Sequence, residues 1–183
     1  MKSRIAIIVS ITLVIGAVYA GYRNQLERWN RPLSGAPVAV LPAIETQALV
    51  HWAFEDLEGR QRHMSEWAGK LIIVNFWATW CHPCRKEIPG FIALQERYAH
   101  AGVQFIGIAY DRAEAVSAFA AEQGINYPIL IGEQDVARYM RALGNAIGAL
   151  PFSAVISRDG RVLATHQGEW RADDVASVIS AAL

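Results

Sequence analysis

The stretch that decides the fold is Asn75-Phe76-Trp77-Ala78-Thr79-Trp80-Cys81-His82-Pro83-Cys84, which contains the only two cysteines in the sequence. Residues 71–77 (LIIVNFW) are apolar and rich in β-branched side chains, which predicts a buried central strand. Residues 85–100 carry apolar side chains at helical spacing. We therefore expect Cys81 at the N-terminus of a helix, where free backbone N–H groups and the helix dipole favour a thiolate.

Two cysteines at this spacing have four interpretations. A redox-active dithiol is favoured, because the spacing agrees with the strand-to-helix context. A structural disulfide would close too short a loop to constrain the unfolded chain strongly. Covalent haem attachment requires a histidine directly after the second cysteine, and this sequence has Arg85 there. A zinc site needs two further ligands, and no second pair has ligand spacing among His51, His63, His82, His100 and His166.

The dithiol predicts a two-step exchange. The thiolate of Cys81 would attack a partner's disulfide to form a mixed disulfide, which the less accessible Cys84 would then resolve. Pro83 suits the first turn of the helix, because proline has no N–H and its φ is already helical. Two interpretations of His82 stay open: a protonated ring that makes the disulfide more oxidising, or an exposed side chain with no redox role.

Residues 74–89 (VNFWATWCHPCRKEIP), Leu150-Pro151 and Arg158-Asp159-Gly160 together resemble the TlpA-like branch of thioredoxin-fold proteins. This branch contains membrane-anchored, extracytoplasmic thiol–disulfide oxidoreductases, including those of cytochrome c maturation. The resemblance covers about residues 43–183 and implies an α/β thioredoxin fold, with a mixed central sheet flanked by helices. It also implies an N-terminal β-hairpin and a central helix–strand insertion at about residues 124–143. Its site would consist of the nucleophile Cys81, the resolving Cys84 and a cis-proline, Pro151, facing them.

The proton chemistry is expected to depart from that of thioredoxins proper, which carry a buried aspartate where this sequence has Asn75. An amide cannot accept the proton of the resolving cysteine. Glu87 follows Cys84 by three residues and therefore lies on the same face of the helix. We expect Glu87 to accept that proton, with a pKa raised by partial burial. The alternative is a solvated glutamate on an exposed helix face.

A docking rim for the client is predicted around the dithiol. The cis-proline implied at position 151 would hold the backbone of Leu150 open beside Cys81, so that a client strand can add by main-chain hydrogen bonds. Trp80 would shield the dithiol and offer an apolar contact to partners. The substrate-binding residues expected from the sequence are Trp80, His82, Pro83 and Leu150.

The remaining elements follow from hydrophobic periodicity and turn residues. A hairpin is expected from residues 49–54 with its turn at residues 55–59, followed by one helical turn at 64–69. Pro89 is expected to kink the motif helix. A second hairpin is expected from strands 152–156 and 161–165. The other predicted elements are strands at 103–110 and 127–131 and helices at 113–123, 133–143 and 172–182.

The N-terminal region differs in composition from the rest. Residues 5–22 carry no charge and are long enough to span a bilayer. We expect an uncleaved anchor, with a cleaved signal peptide as the alternative. The domain organisation predicted is a cytoplasmic tail (1–4), an anchor (5–22), a linker (23–42) and a thioredoxin-like domain (43–183). The 17 basic and 17 acidic side chains cancel, so nothing indicates a nucleic-acid partner.

These observations predict a protein-disulfide oxidoreductase in the cytoplasmic membrane, with its catalytic domain on the extracytoplasmic (periplasmic) side. The expected direction is reduction of disulfides in client proteins, in cytochrome c maturation or a similar process. Electrons would come from a membrane dithiol donor, because the sequence has no nicotinamide or flavin fingerprint. No cofactor or metal is expected beyond the Cys81–Cys84 pair. The alternatives are a disulfide oxidase or isomerase, and a copper-binding chaperone that uses both cysteines and His166.

Overall fold

The structure, a computed structural model, describes residues 52–132 and 134–183. The predicted tail, anchor and linker, together with residues 43–51 of the predicted domain, lie outside these described residues. Within them, no helix has both the length and the apolar character needed to cross a membrane.

Seven strands and four α-helices make up the described chain. The order along the sequence is β1 (Ala53–Asp56), β2 (Gln61–His63), β3 (Leu71–Trp77), α1 (His82–Tyr98), β4 (Val103–Ala109), α2 (Ala113–Gln123), β5 (Ile129–Ile131), α3 (Gln134–Ala142), β6 (Phe152–Ile156), β7 (Val162–Gln167) and α4 (Ala172–Ala182). Short 3-10 helices cover Met64–Trp67 and Ala99–Ala101. The predicted alternation of strands and helices is confirmed.

All seven strands form one mixed sheet, in the order β2-β1-β5-β4-β3-β6-β7. Strand β3 lies in the interior, parallel to β4 and antiparallel to β6. All seven of its residues are buried, because helices cover both faces of the sheet. One face of the sheet packs with α1, α2 and α4, and the other packs with α3. This double burial explains why β3 is apolar throughout rather than alternating.

The two hairpins have other boundaries than the sequence predicted. In the first, Glu55 and Asp56 belong to β1 rather than to the turn. The Asp56 carboxylate accepts hydrogen bonds from the backbone N–H groups of Glu58 and Arg60, which moves the turn later in the chain. In the second, β7 begins at Val162 and continues to Gln167, two residues beyond the predicted end.

The predicted insertion and the predicted helix after the cysteine motif are both present, with small differences in their bounds. Strand β5 joins β1 to the parallel core of the sheet, and α3 packs Val136, Tyr139 and Met140 onto it. The motif helix α1 begins at His82 with Cys81 as its N-cap residue, as predicted, and runs through Pro89 without ending. The helix α2 ends at Gly124, which adopts a left-handed φ of 65°.

We predict that Gly107→Ala destabilises the domain by about 1–3 kcal/mol, the usual range for overpacking a core. Gly107 lies in β4, where an added Cβ would be 3.0 Å from Nε1 of Trp77 and 3.3 Å from Cε2 of Tyr127. Urea unfolding of the full chain measures the change. In a double-mutant cycle, Trp77→Phe should make room and reduce the cost of Gly107→Ala. Strictly additive effects would contradict this account.

Candidate active site

The cysteine pair lies where the sequence placed it, between β3 and α1. Cys81 is the N-cap residue of α1, and Pro83 follows in the first turn. The Sγ of Cys81 accepts a hydrogen bond from the backbone N–H of Cys84 at 3.4 Å. The two cysteines are joined by a disulfide, with their Cα atoms 5.3 Å apart. The helix N-terminus thus directs a backbone N–H donor at the Cys81 sulfur, which favours a thiolate at this position.

The two cysteines differ in exposure. Cys84 is 0% exposed and Cys81 is 6% exposed. Both pack in an apolar cluster formed by β3, α1, β4 and α2, whose largest side chains are Trp77 and Phe119. Cys81 is therefore the only one of the two cysteines with any exposed surface.

A hydrogen-bonded aspartate fixes the loop that leads into the pair. The Asp111 carboxylate accepts bonds from the backbone N–H of Thr79 at 2.9 Å and from its hydroxyl at 2.5 Å. These bonds lower the pKa of Asp111 against the opposing effect of burial, which is the largest single influence. The next residue, Trp80, is 67% exposed beside Cys81. Asp111 was not predicted as a site residue, although its position two residues beyond the end of β4 places it at the sheet edge where the parallel strand β3 also ends.

The peptide bond between Leu150 and Pro151 is cis, as the resemblance implied. Leu150 is half-buried and packs against the apolar cluster that contains both cysteines. The side chain of Asn145 holds the preceding loop through a hydrogen bond from its Nδ2 to the carbonyl of Ala149, at 2.8 Å. Leu150, one of the predicted rim residues, therefore packs beside the disulfide, and Trp80 directly precedes Cys81 in the chain.

Glu87 lies in the interior of the domain. Its side chain is 4% exposed, which excludes the alternative of a solvated glutamate. Its Oε1 accepts a hydrogen bond from Nδ2 of Asn75 at 2.7 Å, and its Oε2 accepts one from the backbone N–H of Trp170 at 2.8 Å. Burial raises the pKa of the Glu87 carboxyl to about 7, although both hydrogen bonds act to lower it. Such a carboxyl can take up or release a proton near neutral pH.

His82 and His166, the two histidines for which the sequence suggested a role of their own, lie in different surroundings. His82 is exposed in the first turn of α1. His166 lies in β7 and stacks on Trp170, with ring centroids 4.9 Å apart. Across residues 52–132 and 134–183, no three His, Cys, Asp or Glu side chains are grouped closely enough to hold a metal ion.

Fold and site together define a thioredoxin-like domain with a Cys-x-x-Cys disulfide at a helix N-terminus. A family model described as Redoxin matches residues 39–181, and the chain belongs to this family. The thiol–disulfide oxidoreductase ResA of Geobacillus thermodenitrificans is 32% identical over 125 residues, which cover 68% of this chain and 70% of that protein. ResA of Bacillus thuringiensis is 35% identical over 117 residues, and the match spans 64% of its length.

A solved structure supports the same assignment. The thiol:disulfide interchange protein of Chlorobium tepidum, described as a thioredoxin family protein, superimposes with a TM-score of 0.65 at 28% identity. The superposition covers 81% of this chain and 99% of that one. The predicted class, a TlpA-like thioredoxin-fold thiol–disulfide oxidoreductase, is thereby confirmed. The roles assigned to individual site residues stay predictions.

We predict that Glu87 makes the stability of the oxidised protein depend on pH. Its pKa is about 7 in the folded state against an ordinary 4.5, so the folded state binds the proton more tightly. The stabilisation is complete below about pH 4.5 and is lost as the pH rises to about 7. A shift of this size corresponds to roughly 3 kcal/mol. Urea unfolding at stepped pH should show this loss in the wild type and not in Glu87→Gln.

The matched control is Glu96→Gln, which removes an exposed carboxylate from the same helix. This variant should keep the wild-type pH dependence. An identical pH dependence in the wild type and in Glu87→Gln would show that the pKa of Glu87 is not raised.

Proposed function

We propose that this chain is a membrane-anchored, extracytoplasmic oxidoreductase that reduces disulfides in client proteins by dithiol exchange through Cys81 and Cys84. The observation that carries the proposal is the asymmetry of the pair. Cys81 caps α1 and lies near the surface, whereas Cys84 is fully buried one turn along the helix. One sulfur can thus attack a large substrate and the other can react only within the protein.

In the first step, the Cys81 thiolate attacks one sulfur of the client's disulfide. The client's S–S bond breaks, a mixed disulfide forms between Cys81 and the client, and the other client sulfur leaves as a thiolate that takes up a proton. In the oxidised protein the N–H of Cys84 points at the Cys81 sulfur, and in the reduced protein the same donor would favour the ionised form of that sulfur. Trp80 and Leu150 supply the apolar contact, and the backbone before Pro151 is available to a client strand.

In the second step, Cys84 must lose its thiol proton before it can attack. Glu87, one helical turn further along α1 and buried in the domain, is the proposed acceptor. The Cys84 thiolate then attacks the Cys81 sulfur, and the second client sulfur leaves as a thiolate. The client has gained two electrons, and the protein retains the Cys81–Cys84 disulfide.

Each turnover leaves the disulfide to be reduced again, and we assign this to a dithiol donor in the membrane. The Cys81–Cys84 pair is the only redox group that the proposed reaction needs. Residues 5–22 would anchor the chain in the cytoplasmic membrane, with the domain on the periplasmic side. The ResA relatives are named as thiol–disulfide oxidoreductases, which supports this chemistry. Clients in cytochrome c maturation follow from the TlpA-like resemblance.

The proposed order of attack is tested by trapping. With a disulfide-bonded model peptide, the reduced Cys84→Ser variant should accumulate a mixed disulfide on Cys81, because no second sulfur is present to resolve it. Mass spectrometry of the full chain, after quenching with an alkylating agent, measures the adduct. The matched control, Cys81→Ser, should form little adduct because Cys84 is buried. Equal or greater trapping on Cys84 would contradict the assigned roles.

A further inference from the structure

We propose that Asn75 is a positioning residue that favours the ionised form of Glu87, the form that can accept the proton of Cys84. The inference rests on the proposed role of Glu87 in resolving the mixed disulfide. It assigns a function to the position at which this chain departs from the buried aspartate of thioredoxins proper.

The backbone fixes Asn75 at the centre of the sheet. In β3 it pairs with Gly107 of β4 on one side and with Ser153 of β6 on the other. Its side chain is 1% exposed and points to the face covered by α1. Nδ2 donates one hydrogen bond to Oε1 of Glu87 at 2.7 Å and another to Oγ of Ser153 at 3.1 Å. Both amide hydrogens are therefore used, and the shorter bond goes to Glu87.

The other end of the same amide has no partner. Among the described residues, Oδ1 of Asn75 is buried without a hydrogen bond. An unsatisfied buried acceptor destabilises a fold, whereas an apolar side chain of similar shape would avoid this cost. The amide is thus a poor choice for stability alone. The favourable contribution of the Asn75 amide is the two hydrogen bonds that it donates, one of which goes to Glu87, the proposed proton acceptor.

The direction in which Asn75 changes the pKa of Glu87 follows from the chemistry of its amide nitrogen. Nδ2 can only donate, so its bond strengthens when the carboxyl becomes charged. The Trp170 N–H acts in the same way on the other oxygen. Burial favours the protonated acid, and these two donors oppose it. Without Asn75, a larger fraction of Glu87 would be protonated at neutral pH, and a protonated carboxyl cannot accept a further proton.

Other titratable and charged groups face Glu87 without taking this role. On its own helix, Cys84 is the proton donor, and Lys86 is exposed and lies 3.9 Å from the carboxylate of Glu169. The negative charge of Glu169 raises the pKa of Glu87 slightly. From the segment before β5, Tyr127 has a pKa raised by burial and is therefore neutral. Among the described residues, Asn75 is the only one whose side chain donates a hydrogen bond to Glu87.

The test is an infrared titration of the carboxyl groups in the oxidised full chain in detergent. The spectrum of Glu87→Gln identifies the Glu87 band. In Asn75→Leu, the midpoint of Glu87 should rise by about one pH unit or more, roughly a tenfold gain in proton affinity, because a charged hydrogen bond is lost. The matched control, Ser153→Ala, removes the partner of the other amide hydrogen and should leave the midpoint unchanged.

A second variant guards against a folding defect in Asn75→Leu. Asn75→Asp keeps the size of the side chain but removes both donors and places a second carboxyl beside Glu87. The pair should then take up its first proton at a higher pH than Glu87 does in the wild type. An unchanged midpoint in either folded variant would overturn the proposal.

The rate at which Cys84 resolves a mixed disulfide on Cys81 separates the proposal from the function it rests on. If Glu87→Gln resolves it with the wild-type pH profile, the role of Glu87 as proton acceptor fails, whatever the infrared midpoints show. If Glu87→Gln is slow but Asn75→Leu has an unchanged midpoint, Glu87 keeps its role and the role of Asn75 is overturned. A slow Glu87→Gln together with a raised midpoint in Asn75→Leu supports both.

Discussion

One buried carboxylate joins the helix that carries the cysteines to the rest of the domain. Glu87 receives a hydrogen bond from Asn75 in β3 and another from the N–H of Trp170, between β7 and α4. A carboxylate can be buried only where such donors replace water. The adjoining surfaces fit closely, since a Cβ on Gly90 would lie 3.0 Å from that of Ala172. Together with the apolar packing of α1 on the sheet, this contact holds the orientation of the helix and the position of both sulfurs.

The same helix makes two identical side chains chemically different. The N-cap position gives Cys81 a backbone N–H donor and a place at the surface, beside the exposed Trp80. One turn later, Cys84 faces the apolar cluster and has Glu87 as the next acidic group on its side of the helix. Burial raises the free energy of a lone thiolate, so Cys84 should ionise only when the resolving step requires it. A short motif on one helix end therefore supplies both the nucleophile and the resolving group.

The sequence predicted those parts of the structure that depend on local patterns. Strand β3 and helices α2 and α4 have the predicted bounds, because an apolar run, a helical period and Gly124 mark them. Sequence spacing also placed Glu87 on the inner face of α1. The bond from the Trp170 N–H to Glu87 and the bond from the Thr79 N–H to Asp111 join residues far apart in the chain. Both have a backbone donor, which no side-chain pattern reports. The first turn was misplaced because one aspartate side chain decides where it closes.

The most direct measurement is the reduction potential of the Cys81–Cys84 disulfide in the full chain, equilibrated in thiol redox buffers. Each 30 mV corresponds to about a tenfold change in the equilibrium constant of this two-electron couple. A reductase should give a value below about −230 mV, near the range of thioredoxin. A value between about −120 and −180 mV, typical of disulfide oxidants and isomerases, would contradict the proposed direction and make the exposed His82 the first residue to test.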